Sequence, residues 1–572
     1  MLQASAGSTG SLTAGGAIFS RLKALGVDYV FANSGTDFPP IIEGLAEAAH
    51  HGIDLPRALT IPHEHAALGM AHGYYFMTGK AQAVMLHTNV GLANGAIGAI
   101  NAAADHVPML LMSGRTPTTE KGRFGSRTVP IGWGQEMRDQ TALVREVAKW
   151  DYELRFPEQI ADMLDRGHAI ANSTPKGPVY LSLPREILSE TIDAGLLDPK
   201  PAMAPATVEP PVTAINRAAD LIAAAKSPVV FVQRGSDENA GFAALTGIAD
   251  AFAIPVIHYW ATQLGIATDH PMFAGADPEP WISEADVILV IDALAPWSPD
   301  IHAPRDDARI IHLGPNPLFS RYPVRNFRAD ISIAAETGDG LVALAEALEK
   351  RRGAVTVDLA ARRERVTART AAIRAATLAQ AEAGSGPVMS KAHVALALSR
   401  ALSGRDATVL SELGVPLGPM TLTAPRSWYQ EPFSGGLGWA LPAAIGMKLA
   451  RPDKLIVATM GDGSYMFANP VACHQIMQAH DIPVLVIVLN NAGWGTVRQS
   501  VTGMYPDGHA ARANAMPLTG LSPSPKFELV AAASDAWARR VETADHLEGA
   551  LEEAIRQVEI EKRTALLNVR VM

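Results

Sequence analysis

Short apolar runs separated by stretches of helical length recur along this whole sequence, and that alternation restricts the fold more than any other feature. "YVFANSG", "AVMLHT", "PMLLMSG" and "PVYLSLP" open the series, and "PVVFVQRG", "IPVIHYW", "VILVID" and "ARIIHLG" continue it. "KLIVATM" and "VLVIVL" follow near the end. Runs this short and this rich in β-branched residues read as strands buried on both faces of a parallel sheet. The series falls into three regions, about 10–190, 211–350 and 390–572. Between the first two, "SLPREILSETIDAGLLDPKPAMAPATVEPP" is Pro-rich and loses periodicity, as a linker does. Between the last two, "LAARRERVTARTAAIRAATLAQAEAG" reads as a solvated helical connector. The expected architecture is α/β, with three doubly wound parallel-sheet domains.

Composition removes several classes of function. The 572 residues carry a formal charge of −10 and no Lys/Arg-rich block, so nucleic acid is not an expected partner. No uninterrupted apolar run of about twenty residues is present, so no membrane span is expected. A single cysteine, Cys473, rules out a disulfide framework and a cysteine-based zinc site, and fits a reducing cytoplasm. The opening "MLQASAGSTGSLTAGG" lacks the charged start and apolar core of a signal peptide, in keeping with a cytoplasmic location.

The stretch "MGDGSYMFANPVACHQIMQAHDIPVLVIVLNNAGWG" carries the chemistry. Strand, helix and strand place Gly461, Asp462 and Gly463 at one carboxyl strand end, and Asn490 and Asn491 at the next. That edge is where open α/β sheets bind ligands. Asp462 offers a carboxylate oxygen, Asn491 an amide oxygen and Gly493 a backbone carbonyl. Such a set suits a magnesium ion that keeps phosphate oxygens and water in its remaining positions. The glycines admit close approach of phosphate, and the N–H groups of Gly463 and Ser464 add an anion site. Gly-Asp-Gly alone is a common turn, and Asn-Asn alone a common loop start. Together, at adjacent strand ends, they point to a magnesium-bridged diphosphate.

Gly-Asp-Gly, twenty-six intervening residues and Asn-Asn resembles the signature of thiamine diphosphate enzymes. That resemblance implies a pyrimidine-binding domain, a central Rossmann-like domain and a diphosphate-binding domain, in this order. It implies Asp462, Asn491 and the Gly493 carbonyl as magnesium ligands, and places Gly414, Gly461, Gly463, Ser464 and Trp494 with the cofactor. The family also uses a glutamate from another domain to protonate the aminopyrimidine ring. "IPHEHAALGMAHGYYFMTGK" is similar to the stretch that carries it and assigns the role to Glu64. An acidic residue opening a helix usually serves only the helix dipole; its place in this pattern favours the proton relay.

Three stretches narrow the resemblance to benzoylformate decarboxylases. "FSGGLGWALPAAIGMKLA" and "NNAGWGTVR" are similar to that group, and the first implies Leu437 as the apolar residue beneath the bent cofactor. "MLHTNVGLANGAIGAINAA" carries His87 twenty-three residues after Glu64, where the group has a catalytic histidine. His87 is expected to act as general acid or base; a histidine merely satisfied by hydrogen bonds at a strand end is the other reading. Thr36, in "ANSGTDF", stands where relatives place a polar residue that contacts the substrate carboxylate. Arg115 pairs either an acidic substrate group or an interdomain salt bridge. "WGQEMRDQ" keeps the Gln-Glu of a synthase loop, and Trp133 and Gln135 join Arg115 as substrate candidates. In the central region "APWSPDIHAP" offers Trp297 and a displaced His302 in place of the family's second histidine. "VFVQRGSDENAG" is a weak nucleotide-binding signal, and the flavin-contacting phrases of the synthases are missing, so FAD finds little support.

The expected activity is C–C bond cleavage or formation at a 2-oxo acid, with thiamine diphosphate and Mg2+, as in a benzoylformate decarboxylase-like decarboxylase or carboligase. Two alternatives stay open: acetolactate synthase-like joining of two 2-oxo acids, and cleavage of a 2-hydroxy ketone or 2-hydroxyacyl thioester. A cofactor-binding scaffold without chemistry would lack Glu64 or the metal ligands, and both are present. A dinucleotide oxidoreductase would need a clean G-x-G-x-x-G after a strand, and none is found. Relatives bring the glutamate and the metal-binding aspartate from different subunits, which implies a homodimer or homotetramer with active sites at the interface.

Overall fold

The computed structural model describes residues 11–193 and 202–572. The first ten residues, and residues 194–201 of the Pro-rich stretch, lie outside the described residues. The chain forms two compact units, Met1–Thr207 with Pro432–Ala450, and Val208–Glu431 with Arg451–Met572.

In the first unit, β1 (Ser11–Thr13) is paired antiparallel with a strand late in the region. There follow β2 (Tyr29–Ala32), β3 (Arg57–Thr60), β4 (Gln82–Leu86), β5 (Met109–Arg115), β6 (Asp151–Glu153) and β7 (Pro178–Pro184). These six form one sheet in the order β3-β2-β4-β5-β7-β6, with every pairing parallel. β8 (Thr191–Asp193) is the partner of β1. Every residue of β4 and β7 is buried, as expected for strands covered by helices on both faces. The helix Glu64–Thr78 packs on the helix Ala440–Ala450 backbone to backbone. A Cβ on Gly73 would lie 1.9 Å from the Ala443 carbonyl oxygen, and one on Gly446 1.9 Å from that of Met70. Only glycine permits this approach.

The second unit holds two sheets. The central one runs β10-β9-β11-β12-β13, from β9 (Pro228–Val232), β10 (Val256–Ile257), β11 (Val287–Ile291), β12 (Arg309–Gly314) and β13 (Ile331–Ala334). The other runs β15-β14-β16-β17-β19-β18, from β14 (Ala407–Glu412), β15 (Trp428–Gln430), β16 (Leu455–Gly461), β17 (Leu485–Asn490), β18 (Trp537–Val541) and β19 (Ala565–Arg570). All their pairings are parallel too. The three expected doubly wound sheets are therefore present. Counted from its own first strand, each six-stranded sheet has the same order, and each sheet has one switch point, where neighbouring strands send the chain to opposite sides.

The connector is a helix, Leu359–Ala383, but it is not solvated all round. Arg362 is buried, and its guanidinium donates to the carbonyls of Ala225 and Phe252, which terminate two helices of the central domain. A cation suits those negative helix ends. No described helix is long and apolar enough to cross a membrane.

Candidate active site

The switch point of the first sheet lies between β2 and β4. The chain leaves β2 through a turn that carries Thr36 and Asp37, and leaves β4 at His87. Thr36 is exposed, and its carbonyl accepts from Arg185 at 3.2 Å. Asp37 turns inward and is 3% exposed. Its Oδ1 lies 2.5 Å from His87 Nδ1, and its Oδ2 accepts the Thr88 N–H at 3.3 Å. The second ring nitrogen, His87 Nε2, stands 3.1 Å from the Gln135 side-chain nitrogen. The hydrogen bond that the ring donates to Asp37 holds the His87 pKa above the usual histidine value, against the opposing effect of burial. Sequence reasoning missed Asp37, although it stands next to Thr36 in "SGTDF".

Glu64 opens the helix Glu64–Thr78 and reaches over the small-residue face of the helix Thr88–Ala104. Its Oε2 accepts from the Asn94 amide at 2.5 Å, and Gly91 and Gly95 leave room for it. Asn94 also went unrecognised, though Gly91, Asn94, Gly95 and Gly98 repeat at helical spacing. Next along the chain, buried His65 lies against the backbone at Leu437 and Gly438, so half-buried Leu437 belongs to the same unit as Glu64.

The other candidates of the first unit divide. Gln135 reaches His87. Arg115 is held by Glu136 at 2.6 Å, Glu153 at 2.9 Å and the Met137 carbonyl at 2.9 Å, so two carboxylates of its own domain already surround it. Trp133 donates to Glu120 at 2.9 Å and lies beneath the Arg127 guanidinium.

The third sheet turns at β14 and β16, which brings Gly414 and the Gly461–Gly463 turn to one edge. A Cβ on Gly414 would meet the Thr459 hydroxyl at 2.4 Å, so this crossing is built for glycine. Asp462 is buried, with Oδ1 accepting the Gly463 N–H at 3.0 Å and Oδ2 the Gly493 N–H at 3.2 Å. The Asn491 side-chain oxygen accepts the same Gly493 N–H at 3.1 Å. Asp462, Asn491 and Gly493 are thus brought together as expected, whereas Asn490 turns away to Ser524 and Asn568. Ser464 is buried beside them. Trp494 lays its ring over Gly463.

Burial pushes the Asp462 carboxyl above the ordinary range, with backbone N–H groups and the half-buried Lys391 ammonium opposing. Lys391 donates to the Leu413 carbonyl, and nearby Glu431 is pushed by burial to about 7. Neither residue was singled out in the sequence, since a lysine or a glutamate in such positions has no motif. A divalent cation would favour the ionised Asp462 that burial penalises, and carboxylate, amide and carbonyl oxygens are the donors such an ion takes. Among the described residues no group of three His, Cys, Asp or Glu offers a rival metal site.

The carboxyl edge of the central sheet is occupied by its own side chains. Gln233 donates to the carbonyls of Tyr259 at 3.0 Å and Ala295 at 2.7 Å, and Arg325 to those of Ala293 at 3.0 Å and Leu294 at 2.8 Å. Trp297 is buried in the core, and His302 Nδ1 accepts the Ser298 N–H at 3.2 Å, closing its own turn.

Comparison with known proteins identifies the domains. Residues 12–143 match the thiamine pyrophosphate enzyme N-terminal TPP binding domain, 215–344 the central domain and 417–569 the C-terminal TPP binding domain. The chain is 28% identical over 550 residues to the "Probable 2-ketoarginine decarboxylase AruI" of Pseudomonas aeruginosa, covering 94% of this chain and 91% of that one. It is 26% identical over 560 residues to the acetolactate synthase isozyme 3 large subunit of Escherichia coli, covering 93% and 90%. The solved structure of the thiamine diphosphate-dependent 4-hydroxybenzoylformate decarboxylase of Rhodococcus jostii RHA1 has the same fold, with a TM-score of 0.75, 24% identity, and coverage of 98% and 99%. The chain belongs to the thiamine pyrophosphate enzymes, of the three-domain acetolactate synthase and decarboxylase type.

Proposed function

We propose that this enzyme breaks the bond between the carboxylate and the keto carbon of a 2-oxo acid, releases carbon dioxide and delivers a proton to the carbon left behind. Capture of that carbon by a second carbonyl is the competing fate. The observation that carries the reading is His87, anchored at Nδ1 by Asp37, with Nε2 at Gln135 and a pKa above that of a free histidine. A ring so placed is a proton donor near neutral pH.

Thiamine diphosphate, when bound, supplies the electron sink for the departing carbon dioxide. Glu64, steadied by Asn94, would hold and pass the proton that the bound cofactor's aminopyrimidine ring needs. Asp462, Asn491 and the Gly493 carbonyl would hold a magnesium ion, which neutralises the diphosphate. Leu437 and Trp494 would each offer apolar surface to a bound cofactor, and Thr36 and Gln135 would offer polar contacts to substrate. Because Glu64 and Asp462 serve opposite ends of one cofactor and relatives draw them from two subunits, the proposed assembly is a homodimer or homotetramer. The relative described as a 2-ketoarginine decarboxylase supports the 2-oxo acid class.

The test is a product screen of the protein with thiamine diphosphate, magnesium and a panel of aryl, branched, cationic and short 2-oxo acids, reading carbon dioxide, aldehyde and acetolactate. Aldehyde from any one acid supports the reading. Acetolactate from pyruvate replaces it with the synthase reaction, and silence on every acid replaces it with cleavage of 2-hydroxy ketones or thioesters.

A further inference from the structure

We propose that Asp37 is the positioning residue of His87: its carboxylate fixes the imidazole with Nδ1 inward, so that Nε2 alone presents the transferable proton. The inference rests on the reading of His87 as proton donor but is argued from independent geometry. One buried carboxylate holds two things at once, the ring through Oδ1 and the Thr88 N–H through Oδ2. Thr88 needs that hold. Its φ is +40, in the left-handed region that a β-branched residue rarely enters. A backbone of this kind is strained and persists only where its surroundings over-determine it.

The space for the pair is cleared by two glycines. A Cβ on Gly114 would lie 1.5 Å from Asp37 Oδ2, and one on Gly35 2.2 Å from the His87 ring. Both neighbours of the pair therefore lack a side chain at the point of contact. The charged groups that bear on His87 are Asp37, from the turn after β2, and Glu64, from the helix Glu64–Thr78; both are acidic and favour the protonated ring. Gln135 faces Nε2 with a neutral amide, which serves either protonation state by exchanging nitrogen for oxygen.

The proton step balances within this arrangement. Nε2–H passes its proton to the carbon that has lost carbon dioxide, the ring becomes neutral, and Nδ1–H stays on Asp37. Solvent then returns a proton to Nε2. Without Asp37 either nitrogen could carry the proton of the neutral ring, and the ring could turn away from Gln135.

A purely structural Asp37 would only hold the Thr88 turn, and the experiment separates the two roles. Protein loaded with magnesium and thiamine diphosphate is treated with diethylpyrocarbonate between about pH 5 and pH 9 without substrate, and modification of His87 is read by peptide mass spectrometry. In wild type the inflection lies above the free-histidine value of about 6.5. In Asp37→Asn it moves to lower pH, and in Asp37→Glu it returns toward wild type. With the best 2-oxo acid, Asp37→Asn loses about 100-fold in kcat/KM, keeps its cofactor affinity, and adds nothing to the loss caused by His87→Ala. An unmoved inflection in Asp37→Asn overturns the proposal, as does an additive loss in the double variant. If Asp37→Asn does not fold, Asp37→Ser, which also lacks the carboxylate, takes its place, and an unmoved inflection there overturns the proposal equally. A shifted inflection in a protein inactive on every 2-oxo acid upholds the inference and sinks the reaction instead.

Discussion

The ring of Trp494 lies where a methyl group on Gly463 would be, 2.2 Å from the position its Cβ would take. The second glycine of Gly-Asp-Gly is thereby fixed by an aromatic neighbour as well as by the turn. Gly463→Ala is expected to displace the indole, lower thiamine diphosphate affinity at least about tenfold and cost about 1–3 kcal/mol of stability. Calorimetric binding with tryptophan fluorescence checks this; unchanged affinity and emission would place the ring elsewhere.

Glu64 is bonded to Asn94 at 2.5 Å and, among the described residues, reaches no other polar side chain by hydrogen bond. Glu64→Gln keeps the shape and removes the exchangeable proton. Binding of the cofactor should persist while turnover falls by about 100-fold or more. A variant as active as wild type would show that the relay runs through another group.

Asp462 supplies the carboxylate of the proposed metal site, flanked by the N–H groups of Gly463 and Gly493. Chelation of magnesium by EDTA should release the cofactor from wild type, and Asp462→Ala should lose cofactor affinity even in magnesium buffer. Equal binding isotherms for variant and wild type would end the metal assignment.

Two glycines in helices have opposite expected responses. Gly73→Ala drives a methyl into the Ala443 carbonyl and should destabilise by about 1–3 kcal/mol or more. Gly247, exposed in the helix Asn239–Ala251, has nothing within 4 Å of its Cβ position, so Gly247→Ala should stabilise by roughly 0.5–1 kcal/mol. Urea midpoints of the two variants decide, and movement in the same direction refutes the packing described.

Burial holds His65, His312 and His474 neutral down to about 4 and His258 to about 3. The unfolded chain protonates them near 6.5, so it binds more protons than the folded chain below that pH. Stability is full above 6.5 and falls as pH drops toward 4, by roughly 1 kcal/mol per histidine at pH 5.5. Unfolding midpoints between about pH 7.5 and pH 5.5 should show it, with a flatter profile for His474→Gln. An equal slope in that variant would assign the acid sensitivity to other groups.

The sheets were legible because burial on both faces writes a strand as a continuous apolar run, and the meeting of Asp462 with Asn491 because they follow consecutive strands. Asp37 was not, since a contact between the turn after β2 and the turn after β4 joins residues fifty positions apart. Arg115 illustrates the same limit. Its guanidinium was visible in the sequence, but the carboxylates of Glu136 and Glu153 that surround it depend on the loop's path. The connector failed differently: seven of the twenty-five residues of its helix are charged and read as solvated, yet one of them, Arg362, is drawn inward by two helix ends that sequence spacing does not reveal.

The common strand order of the two six-stranded sheets puts distant residues at one address. His87 is the first residue after β4, the third strand of its set, and Asp462 is the first after β16, the third strand of the other. The chain thus spells one module twice and puts at the same position the proposed proton carrier in one copy and the proposed cation ligand in the other. Division of labour between the halves comes from which side chain stands at that address. Exchanging residues between the two copies would then rewrite the chemistry of an edge without asking the backbone to change course.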